Sequence, residues 1–171
     1  MTKIGLISDT HGSLPESFHD FTQDCEQIWH AGDIGNIKIA QEIGKEKAII
    51  AVYGNIDGQD IRMANCPKEQ IFMCEKMRVY MTHIAGYPGK YLPSVRKRIL
   101  ALRPDIVVAG HSHILKIIYD KKLKHLHLNP GAAGKYGIHK QITMLRFEIN
   151  GDRVENMEIF EKPKQSLLTK S

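Results

Sequence analysis

The chain has no long hydrophobic run. Its longest apolar stretches, such as residues 48–53, fall far short of the roughly 20 residues that span a bilayer, so no membrane crossing is expected. The apolar segment at 4–7 is too short for a secretory signal and gives way to Asp9, which points to the cytoplasm. Cysteine is scarce: Cys25, Cys66 and Cys74 are an odd number with no CxxC pair. That excludes a disulfide framework and a zinc ribbon and leaves ordinary packing in a reducing compartment. Aromatic residues make up 7% of the chain, and no helix-turn-helix, zinc-finger or aromatic RNA-binding pattern is present, so nucleic acid is not an expected partner. Internal repeats and linkers are missing too. One domain is expected over residues 1–160 of the 171, with a polar tail at 161–171.

What is present is globular: 42% hydrophobic and 25% charged residues. The net charge of +5 is uneven. Residues 1–85 carry 8 basic and 12 acidic side chains, residues 86–171 carry 16 and 7, so the second half suits an anionic substrate or a plainly solvated lysine surface. Runs at 3–7, 27–30, 48–53, 78–82 and 105–109 are β-rich, and several are apolar throughout, as strands buried on both faces are. Helices are predicted at about 15–23, 37–43 and 92–102, the last ending before Pro104. This alternation predicts a layered α/β domain. From Ile114 the pattern becomes antiparallel, with runs at 114–119, 124–129, 142–149 and 154–160 and a hairpin signal at Asn150-Gly151-Asp152. Residues 70–74 and 78–82 predict another hairpin.

Five of the runs end in a potential metal ligand: Asp9 and His11, Asp33, Asn55, His83, and His111 and His113. Ligand sites in α/β sheets form beyond the carboxyl ends of strands, where these residues would converge. In each x-spaced pair, an extended backbone would point both side chains to one site. Seven ligands exceed one tetrahedral zinc and suit two ions sharing a carboxylate. The set is all oxygen and nitrogen, which selects manganese, iron, zinc, nickel or magnesium, with Mn²⁺ the first expectation. Two such ions about 3.5–4 Å apart activate a bridging water and clamp a phosphoryl oxygen, the chemistry of phosphoester hydrolysis. Taken singly, each histidine is an ordinary structural residue as readily as a ligand. His19, His30, His125, His127 and His139 are read as structural.

The ordered motifs Asp9-x-His11, Gly32-Asp33, Gly54-Asn55, His83 and Gly110-His111-Ser112-His113 resemble those of the calcineurin-like metallophosphoesterases over roughly residues 3–160. The resemblance implies a two-sheet β-sandwich flanked by helices, a four-layer αββα fold. It implies a dinuclear centre in which Asp33 bridges, Asp9, His11 and His113 complete one site, and Asn55, His83 and His111 complete the other. It further implies a metal-bridging hydroxide as nucleophile, with Asp33, Asn55 and His83 acting in catalysis. The chain looks like the small bacterial and archaeal phosphodiesterase branch.

Two departures stand out. Ile56 occupies the position after Gly-Asn where the superfamily often has the histidine proposed as acid for the leaving group, and Asp57 follows it. His83-Ile84-Ala85 replaces the branch's His-Gly-His. Lys90, Tyr91 and Arg96 follow a Gly/Pro loop next to His83 and are candidates to hold a phosphate, against the plainer reading of a solvated basic helix. The expected activity is hydrolysis of a small phosphoester, a phosphodiester in preference to a monoester, by a protein that can form homo-oligomers. The competing reading is a metal-binding scaffold with little catalysis, as in the retromer subunit with this fold.

Overall fold

The structure, a computed structural model, describes residues 1–165. In chain order the elements are β1 (Thr2–Ile7), α1 (Phe18–Thr22), β2 (Gln27–His30), α2 (Ile37–Glu46), β3 (Ala48–Ala51), α3 (Gln59–Met63), β4 (Glu69–Cys74), β5 (Met77–Thr82), α4 (Pro93–Leu102), β6 (Ile106–Val108), β7 (Leu115–Asp120), β8 (His125–Pro130), β9 (Gln141–Asn150) and β10 (Arg153–Pro163). Two mixed five-stranded sheets form, in the orders β10-β9-β1-β2-β3 and β4-β5-β6-β8-β7. β1, β2 and β3 run parallel in the first and β5, β6 and β8 in the second, with antiparallel neighbours outside them.

The apolar runs follow from this layering. Between the sheets lie Ile4, Leu6, Trp29, Val79, Met81, Val108, Leu128 and Phe147. The other face of the first sheet puts Ile7 and Ile28 against Phe18 of α1 and Ile39 and Ile43 of α2. The outer face of the second packs Tyr80 and Val107 against Val95 and Ile99 of α4. Both faces of the central strands are therefore dry, and alternation is lost where the strands are parallel. The fold is the expected α/β sandwich.

Some boundaries differ from expectation. The helix predicted over 15–23 shrinks to α1, because Phe18 N–H donates to the Pro15 carbonyl in a preceding turn. Pro93 opens α4, where its missing N–H costs nothing, and Arg103 closes it at φ 47° ahead of Pro104. α3 is too short to show a period and went unpredicted. β10 continues to Pro163, opposite Gln141, so the strand takes the first three residues of the expected tail; residues 166–171 lie outside the described ones. Among the described residues no helix is long and apolar enough to cross a membrane.

Candidate metal centre

The segments that follow β1, β2, β3, β5 and β6 bring all seven predicted ligands together in two adjoining groups. Donor atoms of Asp9, His11 and His113 lie within 4.8 Å of one another, as do those of Asp33, His83 and His111. Asn55 joins the second group: its Oδ1 is 3.1 Å from His83 Nε2 and 3.0 Å from His111 Nδ1. Asp33 faces both, its Oδ2 lying 3.2 Å from His83 Nε2 and 3.5 Å from His11 Nε2.

Hydrogen bonding fixes which nitrogens are bare. His83 Nδ1 lies 2.7 Å from the Ala31 carbonyl, which only accepts, so Nδ1 carries the proton. In neutral His83, Nε2 is then a lone pair facing two acceptors, Asp33 Oδ2 and Asn55 Oδ1. Mutually facing acceptors are tolerable only with a proton or a cation among them. The same logic runs through the first group. His139 Nε2 donates to the Gly134 carbonyl at 2.8 Å, leaving Nδ1 to accept from His113 Nδ1 at 2.9 Å. His113 Nε2 is thereby bared toward Asp9 Oδ1 at 3.1 Å. Asp9 Oδ1 and His11 Nε2 are buried with no hydrogen-bond partner. Orphaned acceptors at this depth are the vacancy-free signature of a cation site, and oxygen plus imidazole suits a divalent metal.

The charges are arranged accordingly. Burial pushes the Asp9 carboxyl up, but the His113 ring beside it, the charge of His83 and the Ser8 hydroxyl together hold it below its ordinary value. Burial likewise opposes ionisation of Asp33, and His83, the Ile56 N–H and His11 outweigh it. Burial disfavours the His83 cation, yet Asp33 and Asp9 raise its pKa above the usual value.

Asp9, His11, Asp33, His111 and His113 have φ between 46° and 69°, the left-handed region that non-glycine residues seldom occupy. Extended geometry in the x-spaced pairs is thus corrected. Asp9 and His11 still share a group, whereas the turn at His111-Ser112-His113 sends its two histidines to different groups. A Cβ at Gly54 would run into the Asp33 carboxylate and backbone, and one at Gly110 into the Ser8 hydroxyl, so both loops need glycine for close approach.

Several supporting residues were missed. Asp57 is buried and accepts three backbone N–H groups, from Ile34 at 3.1 Å, Gly35 at 2.8 Å and Gly54 at 2.8 Å, tying the Asp33 loop to the Asn55 loop. Its place in a Gly-flanked turn was the available signal. His30 accepts from Gly32 N–H through Nδ1, and its Nε2 lies 2.9 Å from a Thr10 hydroxyl that itself donates to Ile34, tying the Asp9 loop to the Asp33 loop. Asn129 donates to the Gly110 carbonyl and Ser112 hydroxyl and so pins the His111 turn. His139 sits in a loop with no pattern to mark it. Of the expected phosphate contacts, Tyr91 turns its hydroxyl between His125 Nε2 and His127 Nδ1, at 2.8 and 2.7 Å, in the layer under α4. It does not bring that hydroxyl to the cluster. Lys90 and Arg96 are exposed and make no ion pair among the described residues.

Comparison with known proteins agrees with this geometry. The family model of the calcineurin-like phosphoesterase superfamily domain matches residues 2–152. A probable metallophosphoesterase of Methanothermobacter thermautotrophicus is 32% identical over 136 residues, covering 75% of this chain and 76% of that protein. A phosphodiesterase of Methanocaldococcus jannaschii is 29% identical, covering 78% of this chain and 86% of its own. Among solved structures, Vps29 of Entamoeba histolytica superposes with a TM-score of 0.74 at 15% identity, over 94% of this chain and 98% of its own. An archaeal phosphodiesterase does so with 0.71 at 20% identity, over 92% and 99%. These two likenesses concern the fold. By its matched domain and its relatives, the chain belongs to the calcineurin-like phosphoesterase superfamily.

Proposed function

We propose that this protein is a phosphodiesterase of the cytoplasm that works with two divalent ions, Mn²⁺ first among them. Asp9, His11 and His113 would hold one ion, Asn55, His83 and His111 the other, and Asp33 both. The observation that carries this reading is that His83 Nε2 and His113 Nε2, with their other ring nitrogens already hydrogen-bonded, each face carboxylate oxygens, so that a proton or a cation must lie between them. When bound, two such ions acidify a shared water and polarise the phosphoryl group. The chain's own part is to position them. The Ala31 carbonyl and His139 lock the imidazole tautomers, Ser8 and the His111 N–H hold Asp9 Oδ2, and Asp57 clamps the two loops. Lys90 and Arg96 are assigned to steering an anionic ester toward the site.

No side chain takes the leaving-group proton at the expected position. Ile56 cannot donate one, and Asp57 is committed to three backbone N–H groups. General acid catalysis typically contributes about 10²–10⁴-fold, most where the departing alkoxide is strongly basic. Aryl esters should therefore be favoured. The test is a series of phosphodiesters of graded leaving-group pKa, with Mn²⁺ and with chelator, on the wild type and Ile56→His. Chelator-sensitive turnover that falls steeply with leaving-group basicity, and less steeply in the variant, is expected. No turnover with any divalent ion would assign the protein to scaffolding instead.

A further inference from the structure

Three of the five segments that carry candidate ligands, those of Asn55, His83 and His113, continue into an exposed isoleucine. Ile56, 47% exposed, follows Asn55 and gives its N–H to Asp33 Oδ1 at 3.1 Å. Ile84, 38% exposed, follows His83, and Ile114, 62% exposed, follows His113. Tyr136 and Ile138, 49% and 99% exposed, flank Gly137, where a Cβ would lie 2.6 Å from His113 Cε1, so this loop lies directly against that imidazole. Tyr87 extends the band under Lys116, whose Nζ is 3.9 Å from its ring centroid. Single exposed isoleucines are ordinary surface; six apolar residues on the loops that carry or touch one ligand cluster mark an interaction site.

We infer that this rim selects phosphoesters whose organic group is an apolar alkyl or aryl chain. The inference rests on the phosphoesterase reading above and narrows its substrate. The ligand cluster would take the phosphoryl group, and whatever is attached to it must cross the rim. A sugar or nucleobase would be stripped of water there and find, apart from the Tyr87 and Tyr136 hydroxyls and the Lys116 ammonium, only hydrocarbon among these side chains, which disfavours it. A hydrocarbon group loses nothing and gains buried area. Ile56 serves the same preference, since it contributes a methyl surface where an imidazole would contribute a hydrogen bond.

The test is calorimetric titration of the Mn²⁺-loaded protein with methyl-, butyl- and hexylphosphonate. Affinity should rise about tenfold from methyl to butyl, roughly twofold per methylene against the nearly fourfold of complete burial. The double variant Ile114→Ser/Ile138→Ser alters two largely exposed side chains on which folding does not depend, and it should flatten the rise to less than about twofold at equal metal content. Equal affinity for all three ligands in the wild type, or a rise that persists in the variant, overturns the inference. So does a wild-type dimer that the variant dissolves, which would make the rim a contact between copies. Hydrolysis of p-nitrophenyl alkyl phosphodiesters is followed in parallel. Chain-length-dependent binding without turnover removes the hydrolase reading and leaves the rim assignment standing, while turnover with chain-length-independent binding does the reverse.

Discussion

The two ligand groups differ in how they are held. In the first, Asp9 has no exposed side-chain surface, its Oδ2 accepts from Ser8 at 2.5 Å and from His111 N–H at 3.0 Å, and His113 is braced by His139. In the second, Asp33 and His83 are buried but Asn55 and His111 are exposed, and among the described residues their side chains hydrogen-bond only each other and His83. One group is built into the ends of β1 and β6, the other is completed by a loop. A preorganised donor set loses little freedom on binding, so the first group should bind its ion more tightly and the second should exchange.

The largest test removes what the groups share. Asp33→Asn should lose both ions and depress turnover by on the order of 10²–10³-fold, because a neutral amide cannot offset two dications. Metal analysis decides, and two retained ions per chain would show that Asp33 does not bridge. Next come variants aimed at one group each. His139→Ala should weaken the first ion by about 10–100-fold through the freed His113 ring, and Asn55→Ala should lose mainly the second. Stoichiometry near one ion in the Asn55 variant is expected; parallel loss of both would erase the difference between the groups.

A pH series sharpens the comparison further. His83 in the second group has a pKa raised above 6.5, so metal must displace its proton there. Uptake by the second group should weaken as pH falls through that raised value, before the first group releases its ion. In metal-free protein the sign is opposite for stability. Protonated His83 contributes fully below its unfolded pKa, and that contribution fades as pH rises through the folded one. Unfolding midpoints with and without Mn²⁺ in a pH series that starts below 6.5 and rises would follow both.

The smallest effect is acid sensitivity outside the ligand set. Burial pushes the pKa of His30 and of His127 down to about 4 from 6.5. The unfolded chain therefore binds protons that the folded one refuses, and stability should fall as pH drops from about 6.5 to 4, by at most about 3 kcal/mol for each. His127→Gln should remove about half of that slope. His30 should carry the remainder and, since its neutral ring accepts the Gly32 N–H, disturb the Asp33 loop as well.

The layering was legible because the central strands are largely apolar without alternation, and the convergence of the seven candidate residues was legible because each follows the end of a strand. Alternation could not show what the backbone does next. Left-handed φ at His111 and His113 splits a pair that extended geometry would keep together. Nothing in the chain announces that three N–H groups from residues 34, 35 and 54 arrive at Asp57, beside the position where the superfamily often has its acid. Tyr91 looked like a phosphate contact because it follows His83 in the chain, but its hydroxyl belongs to a pair of histidines on β8. Local pattern carries periodicity and strand ends; long-range pairing of polar groups is written only in three dimensions.

The left-handed backbone at Asp9, His11, Asp33, His111 and His113 bears on how such a site persists. Each non-glycine residue there costs on the order of 1 kcal/mol in the bare polypeptide, somewhat less for aspartate. Glycine would relieve that strain at little cost only where, as at His11, the ring nitrogen facing the cluster has no partner, whereas at Asp9 and Asp33 it would also forfeit buried hydrogen bonds. If these five side chains hold ions as proposed, the strain they carry is a cost to the metal-free protein that bound ions would offset, so metal should raise its unfolding midpoint.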